Sequence, residues 1–207
     1  MKKLLAVVLM AVALVAPSFA AEKGSMEIDG KLGYAFSPSA KVKSSSVLGE
    51  DIDVDFKSTF SLGADFFYYV EQQFAIGFGL EHVFTSECEK FNGDSDIPGN
   101  LVKAGTTNIF IQAKYDIDLK NDIFNNIYPL VQLGYGIIDL DGLYTEYIDA
   151  KNGLYWGIGI GTTIKQNFIV ELFYSVNNGD IEIKDTPYSF DLTYKTFKLK
   201  VGYKFAI

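Results

Sequence analysis

Arginine is absent from the 207-residue chain, so all eighteen basic residues are lysine, set against twenty-six acids for a formal net charge of -8. Binding to nucleic acid rests on clustered positive charge and on the bidentate contacts of Arg, so this composition excludes a nucleic-acid partner. Cysteine occurs once, at Cys88, and histidine once, at His82. A lone Cys cannot close an intrachain disulfide, and the common structural zinc sites need three or four Cys or His ligands. No metal and no cofactor is therefore expected. After residue 20 no apolar run approaches the roughly 20 residues that a helix needs to cross a bilayer, which excludes a helical span. What the chain has in quantity is aromatic side chains and glycine: seventeen Phe, thirteen Tyr and nineteen Gly. That pairing favours strands with tight packing over helices.

The N-terminus reads as an address. Lys2 and Lys3 precede the apolar stretch Leu4 to Ala16, and Pro17, Ser18, Phe19 and Ala20 then place small residues at the positions that flank a cut after Ala20. Residues 1–20 are the predicted signal peptide, and 21–207 the predicted domain. Export leaves the periplasm, the outer membrane or the exterior as destinations.

Beyond the leader the apolar period is two, which is strand periodicity. Phe74, Ile76, Phe78 and Leu80 alternate with Ala75, Gly77, Gly79 and Glu81. Leu154 to Ile164, Phe168 to Ser175 and Phe197 to Ile207 repeat the pattern, as do Met26 to Phe36, Val54 to Tyr68, Thr106 to Ile117 and Tyr128 to Ile138. Eight strands result, joined alternately by short turns and by the long acidic segments Ser37 to Asp53, Thr85 to Gly105, Asp139 to Asn152 and Asn177 to Ser189. Short turns at one end and long loops at the other describe an all-β, eight-stranded antiparallel up-and-down transmembrane β-barrel. A soluble lipocalin-like barrel would carry bulky apolar residues inside and charges outside. Here the face opposite the large apolar one holds Glu27, Asp29, Lys31, Asp65, Glu81, Gln112, Lys114, Gln132, Glu171, Lys198, Lys200 and Lys204 among glycines, which suits a narrow polar lumen with lipid outside.

Aromatic residues gather at strand ends. Tyr68, Phe74, Tyr115, Tyr128, Phe168, Tyr203 and Phe205 lie near the short turns or the chain end, and Phe56, Phe84, Trp156 and Tyr174 near the long loops. Two interfacial girdles are the expectation. On these features the chain resembles the small eight-stranded outer-membrane proteins of the OmpA/OmpX-like barrel family, from Met26 to Ile207. The resemblance implies a bacterial outer-membrane location among lipid and lipopolysaccharide. It implies insertion by the barrel assembly machinery reading the last strand, where Tyr203 and Phe205 match and Ala206 and Ile207 depart from the usual terminal Phe. It further implies a monomer whose lumen charges plug the barrel or gate slight ion leakage. The peptidoglycan-binding domain of longer members does not follow strand eight, so wall tethering is not expected.

Closing strand eight on strand one brings Asp29 beside Lys204, with Glu27, Lys198 and Lys200 nearby and Glu171 in reach of the same lysines. An internal ion-pair network is predicted, because charges in a lumen are costly unless paired. The loops carry Glu50, Asp51, Asp53, Glu87, Glu89, Asp94, Asp96, Asp139, Asp141, Glu146, Asp149, Asp180, Glu182 and Asp185. They suit a surface or host ligand, and Asn92, Asp94 and Asp96 offer oxygens to Ca²⁺, although the spacing of the helix-loop-helix calcium motif is lacking. His82, outward by parity near a strand top, with Ser86 and Glu87 close in sequence, frames the alternative of a lipid A acyl-modifying enzyme. A narrow pore is the other alternative. The expectation is a non-enzymatic barrel, with a bulge near Lys195, or a strand top clear of the membrane, to explain why Phe190, Leu192 and Tyr194 oppose Phe197 in parity.

Overall fold

The computed structural model describes residues 22–43, 51–94, 102–120, 123–142 and 147–206. Residues 1–20, read above as a signal peptide, and Glu50, Asp96, Glu146 and Ile207 lie outside the described residues. Among the described residues eleven strands follow in chain order: β1 (Met26–Val42), β2 (Ile52–Phe56), β3 (Thr59–Tyr69), β4 (Phe74–Phe91), β5 (Lys103–Tyr115), β6 (Ile117–Asp118), β7 (Phe124–Asp141), β8 (Ile148–Lys151), β9 (Gly153–Ile164), β10 (Phe168–Ile183) and β11 (Ser189–Ala206). β1, β3, β4, β5, β7, β9, β10 and β11 pair antiparallel in succession, and β11 returns to pair with β1. Because the ring closes, its strands have no unpaired edge, the condition for a sheet to exist in lipid.

Most of the strands outrun the membrane. A spanning strand needs about 9–11 residues, whereas β4, β7 and β11 have 18 each and β1 has 17. Between Phe74 and Phe84 on β4, both on the outer wall, the chain advances about 34 Å. Tilted by about 40°, this gives roughly 26 Å of height, which matches the apolar band of about 25 Å on such barrels. Much of what reads as long loop in the sequence is therefore strand continued beyond the band: β1 runs through Ser37 to Val42, β4 through Thr85 to Phe91, and β10 through Asn177 to Ile183. β2 and β8 add short rungs to this upper wall.

The inner face changes character with height. In the lower tier charged groups share the interior with rings: Phe67, Tyr69, Phe110, Tyr128, Tyr155 and Phe173 are buried there. In the upper tier Ala40, Val54, Phe56, Cys88, Ala104, Ile138, Leu192 and Tyr194 form an apolar core. This explains the parity of β11. Phe190, Leu192, Tyr194, Thr196, Lys198 and Lys200 all face inward on one uninterrupted strand. β11 therefore carries no bulge at Lys195; the strand top has left the apolar band. In the pairing of β11 with β1 the register shift falls on β1, between Phe36 and Ser39, with Ser37 at a φ of 36°. A second lies on β4, between Val83 and Ser86. Both bulges sit at the boundary between tiers, where each re-aims the residues above it.

Glycines on the inner face make room for rings. An added Cβ at Gly79 would lie 2.5 Å from the Phe110 ring, at Gly159 2.4 Å from Phe173, and at Gly161 2.5 Å from Tyr128. An eight-stranded interior is just wide enough for side chains to fill, so each large ring is seated on bare backbone of a facing strand. Replacing Gly159 by Val drives a side chain into Phe173 and is expected to destabilise the barrel by about 1–3 kcal/mol. Urea titration of gel-shift mobility in detergent measures the loss, and a midpoint equal to wild type refutes the packing. Cys88, 2% exposed in the upper core, is expected to resist maleimide in the folded barrel and to react once boiled. Rapid labelling of the folded protein would contradict its inward placement.

Candidate functional site

The strongest assembly of chemistry-bearing groups is the lower lumen. Strand alternation points every second residue of each wall inward, and the closed register stacks these into layers. Glu27 pairs with Lys114, lies 3.6 Å from Lys204 and accepts from the Tyr69 hydroxyl at 3.0 Å. Tyr69 Oη is also 2.7 Å from Asp116 Oδ2, so one hydroxyl hydrogen lies between two carboxylates; Asn126 Nδ2 donates to the other Asp116 oxygen at 2.6 Å. In the next layer Lys31 Nζ lies 2.7 Å from both Asp65 and Glu171 and 3.4 Å from Asp29, and Tyr128 donates to Glu171 at 2.8 Å. Higher, Glu81 holds Lys198 at 2.6 Å and Lys200 at 2.9 Å, with the Ser61 hydroxyl at 3.2 Å. Tyr155 donates to Gln132 at 2.7 Å, and Gln132 to Gln112 at 2.9 Å, which links β9, β7 and β5 and brings in the last strand of the ring. Rings supply the remaining contact: Lys114 Nζ lies 4.1 Å from the Phe67 centroid, and Lys200 Nζ 4.2 Å from that of Phe173.

All six predicted network residues face this lumen, with partners that differ from the sequence expectation. Asp29 does sit opposite Lys204 in register, yet Lys204 reaches Glu27, and the lysine nearest Asp29 is Lys31. Glu171 sits opposite Lys200 but bonds Lys31, while Lys200 crosses to Glu81. A lysine stem spans the narrow lumen, so adjacency on the ladder does not decide pairing. Five acids, Glu27, Asp29, Asp65, Glu81 and Glu171, face five lysines, Lys31, Lys114, Lys198, Lys200 and Lys204, and a sixth buried acid, Asp116, is held by Tyr69 and Asn126 instead of a lysine. Sequence reasoning put Lys31, Asp65, Glu81 and Lys114 on the inner face without assigning them to the network. It missed Tyr69, Tyr128 and Tyr155 as hydrogen-bond donors, although their odd or even parity matches that of Asp65, Gln132 and Gly157.

Two members of the expected girdles belong inside. Tyr128 is 1% exposed and shares its inward face with Leu130 and Gln132; closeness to a short turn does not override alternation. Phe56, also 1% exposed, lies in the upper core with its ring 5.9 Å from Tyr194, because above the apolar band the large side chains turn inward. Tyr68, Phe74, Tyr115, Phe168, Tyr203 and Phe205 lie on the outer wall toward the short turns, and Phe84, Trp156 and Tyr174 toward the upper tier. Trp156 packs edge-on to Tyr174 at 6.0 Å, and Phe168 to Tyr203 at 5.5 Å.

The other candidates do not assemble. His82 faces outward, its Nδ1 2.9 Å from Thr107 Oγ1 and its ring against Phe84, whereas the β4 bulge turns Ser86 into the barrel. Glu87 is taken by Lys57 at 2.9 Å and Lys103 at 3.6 Å. A nucleophile and a base on opposite sides of the wall cannot exchange a proton. Asn92 Oδ1 already accepts from the Asp53 amide at 2.9 Å, and among the described residues no group of three or more His, Cys, Asp or Glu is placed to hold a metal ion. The acids above the band are not naked: Lys41 meets Asp51 at 2.9 Å, Lys151 meets Glu182 at 3.0 Å and Lys184 meets Asp149 at 3.4 Å.

A family model described as outer membrane protein beta-barrel domain matches residues 5–205. Among solved structures, the outer membrane protein OprG from Pseudomonas aeruginosa is similar at a TM-score of 0.58 and 13% identity, over 91% of this chain and 98% of that one. The outer membrane protein AlkL, determined by solid-state NMR in DMPC bilayers, is similar at a TM-score of 0.57 and 16% identity, over 93% of this chain and 94% of that one. At such identities the likeness concerns the fold. No curated protein matches in sequence.

Removing one partner of a buried pair leaves an uncompensated charge, at a cost of about 3–5 kcal/mol, whereas replacing both with apolar groups is often neutral. Glu81→Gln, which strands Lys198 and Lys200, is expected to lower unfolding stability by that order. Combining Glu81→Leu with Lys198→Met and Lys200→Met should recover most of it. Denaturant midpoints of the refolded barrels decide the matter, and a triple variant as weak as the single one would show that the pairs do not act as a unit.

Proposed function

Because the chain belongs to the outer membrane protein beta-barrel domain family, we propose that it is a non-enzymatic outer-membrane barrel, closed along its axis, which acts through the strand ends above the bilayer. One observation carries this reading: the interior is filled twice over. The ion network and its rings occupy the lower tier, and the apolar core of Phe56, Cys88, Leu192 and Tyr194 lies directly above it. A hydrated ion needs a continuous polar path, which an apolar core interrupts, and wide aqueous channels belong to barrels of roughly 16 strands.

Export on the signal peptide of residues 1–20, with removal of that segment, fits this destination for the domain of residues 21–207. Short turns then face the periplasm and the extended wall faces outward. The barrel sits as a monomer among phospholipid and lipopolysaccharide, and its final strand, with Tyr203 and Phe205, is the element for the barrel assembly machinery to engage. The exposed wall carries alternating lysine and carboxylate pairs and the exposed tyrosines Tyr147 and Tyr188. Exposed pairs of this kind add little to stability in water, and they present charge for contact with neighbouring envelope components or an external ligand, in support of envelope integrity or surface interaction.

In planar bilayers the refolded protein is expected to give no discrete conductance steps, and a cysteine introduced at Tyr188 in a Cys88→Ser background is expected to react with an impermeant maleimide on intact cells. Reproducible single-channel steps would instead favour a narrow pore. Labelling only after the outer membrane is opened would reverse the orientation.

A further inference from the structure

The outer wall is not evenly covered. Successive outward rows run across β4, β5 and β7 as Phe74 and Tyr115, then Ile76, Ala113 and Val131, then Phe78, Ile111 and Leu133. In the middle row Ala113 presents only a methyl among larger neighbours. Gln112 and Gln132 turn their side chains into the lumen, and Gly77 has none, so backbone forms the floor around that methyl. The result is an apolar groove of about 590 Å³, flanked on one side by Phe66 and Phe78 and on the other by Val131 and Leu133. The Phe66 and Phe78 rings stack at 5.1 Å, which makes that flank a fixed one.

We propose that this groove is a lipid site that holds one acyl chain of a phospholipid from the periplasmic leaflet. It is continuous with the apolar wall that contacts lipid, so a hydrocarbon chain is the occupant whose chemistry fits. Lipid tails are as apolar as the wall, so no hydrophobic gain selects the groove. Packing does: a chain lying in it meets protein atoms on three sides, whereas a chain on the smooth wall meets them on one, and dispersion contacts add up with their number. Height selects the leaflet. The groove begins one row, about 6.8 Å along the strand, above the ring formed by Phe74 and Tyr115, and lies well below Phe84. Short turns mark this end as periplasmic. At its mouth Tyr68 is exposed and Tyr115 donates to Gln73 at 2.5 Å, which puts polar tips at headgroup depth. The site is independent of what the lumen does.

The test uses the full barrel refolded in phosphatidylethanolamine and phosphatidylglycerol vesicles containing a trace of phosphatidylethanolamine with an acyl-chain diazirine. After illumination, adducts are mapped by peptide mass spectrometry. Adducts on Ile111, Ala113, Val131 and Leu133 are expected to exceed those on Ile160 and Val201, lipid-facing residues elsewhere on the wall, several-fold. Ala113→Phe should reduce them to the level of the wall while the heat-dependent gel shift stays as in wild type. Even labelling around the barrel, or groove labelling unchanged in Ala113→Phe, would overturn the site. A parallel sample with diazirine on lipid A acyl chains checks the source, and stronger groove labelling by that probe would overturn assignment to the periplasmic leaflet.

Discussion

An ammonium or a carboxylate inside an eight-stranded barrel has little water to turn to and is surrounded by a low-dielectric ring of lipid, so the lumen tolerates charge only where it is matched. Five lysines are matched by five acids in this barrel, a sixth acid, Asp116, is held by hydrogen bonds from Tyr69 and Asn126, and the geometry of the ring depends on these contacts. Lys31 on β1 reaches Asp65 on β3 and Glu171 on β10, and Glu81 on β4 reaches Lys198 and Lys200 on β11. The first contact ties paired neighbours, whereas Lys31 to Glu171 passes over β11 and Glu81 to Lys198 and Lys200 spans the interior between strands far apart in sequence. A one-residue slip in any strand would exchange its inner and outer faces, sending lysines into lipid and leaving their partners buried alone. The penalty for a stranded charge is several kcal/mol, comparable to a large part of a domain's net stability. Pairing across the lumen therefore fixes register as well as filling space.

The rings inside the barrel belong to the same solution. These acids and lysines do not fill the interior, and an aromatic ring adds volume without adding charge while its face attracts a cation. Phe67 under Lys114 and Phe173 under Lys200 do this, and Tyr69 and Tyr128 also donate hydrogen bonds to the carboxylates that hold the lysines. Such rings fit only where the facing strand gives up its side chains. Gly79 opposite Phe110, and Gly159 opposite Phe173, are thus coupled to the ion network through the space they leave open.

Much of the fold was legible in the sequence because alternation is a direct record of which face meets which solvent. The number of strands, their antiparallel order and the inward placement of Glu27, Asp29, Glu171, Lys198, Lys200 and Lys204 follow from period two and from the lengths of the connections. Partner choice was not legible, since a flexible lysine stem erases the difference between a ladder neighbour and a residue across the lumen. Tyr128 was misplaced because position along a strand was weighed above parity, and Phe56 because the inward face changes from odd to even residues across the break between β3 and β2. The upper wall was hidden for a different reason. Polar, acidic residues outside a strand that stands in water look like a loop when the inner partners are too mixed to alternate cleanly, as in Ser37 to Val42. The bulges on β1 and β4 break the alternation at the very point where the pattern would have announced the extension.

β11 shows what those breaks conceal, because it crosses the boundary without one. Below Thr196 in the barrel wall, Phe197, Leu199 and Val201 face out while Lys198 and Lys200 face in; above it, Asp191, Thr193 and Lys195 lie on the outer parity and Phe190, Leu192 and Tyr194 face in. The backbone alternates throughout, and only the chemistry assigned to each face inverts. Inside a membrane the apolar phase is outside the barrel, so the polar groups are enclosed; in water the apolar phase must be made by the protein, so the same ring encloses its hydrophobic side chains. The level of Thr196 is therefore where the surroundings change from lipid to water. A single continuous sheet is at once an inside-out barrel and an ordinary one, with the apolar core of its upper half stacked directly on the polar lumen of its lower half.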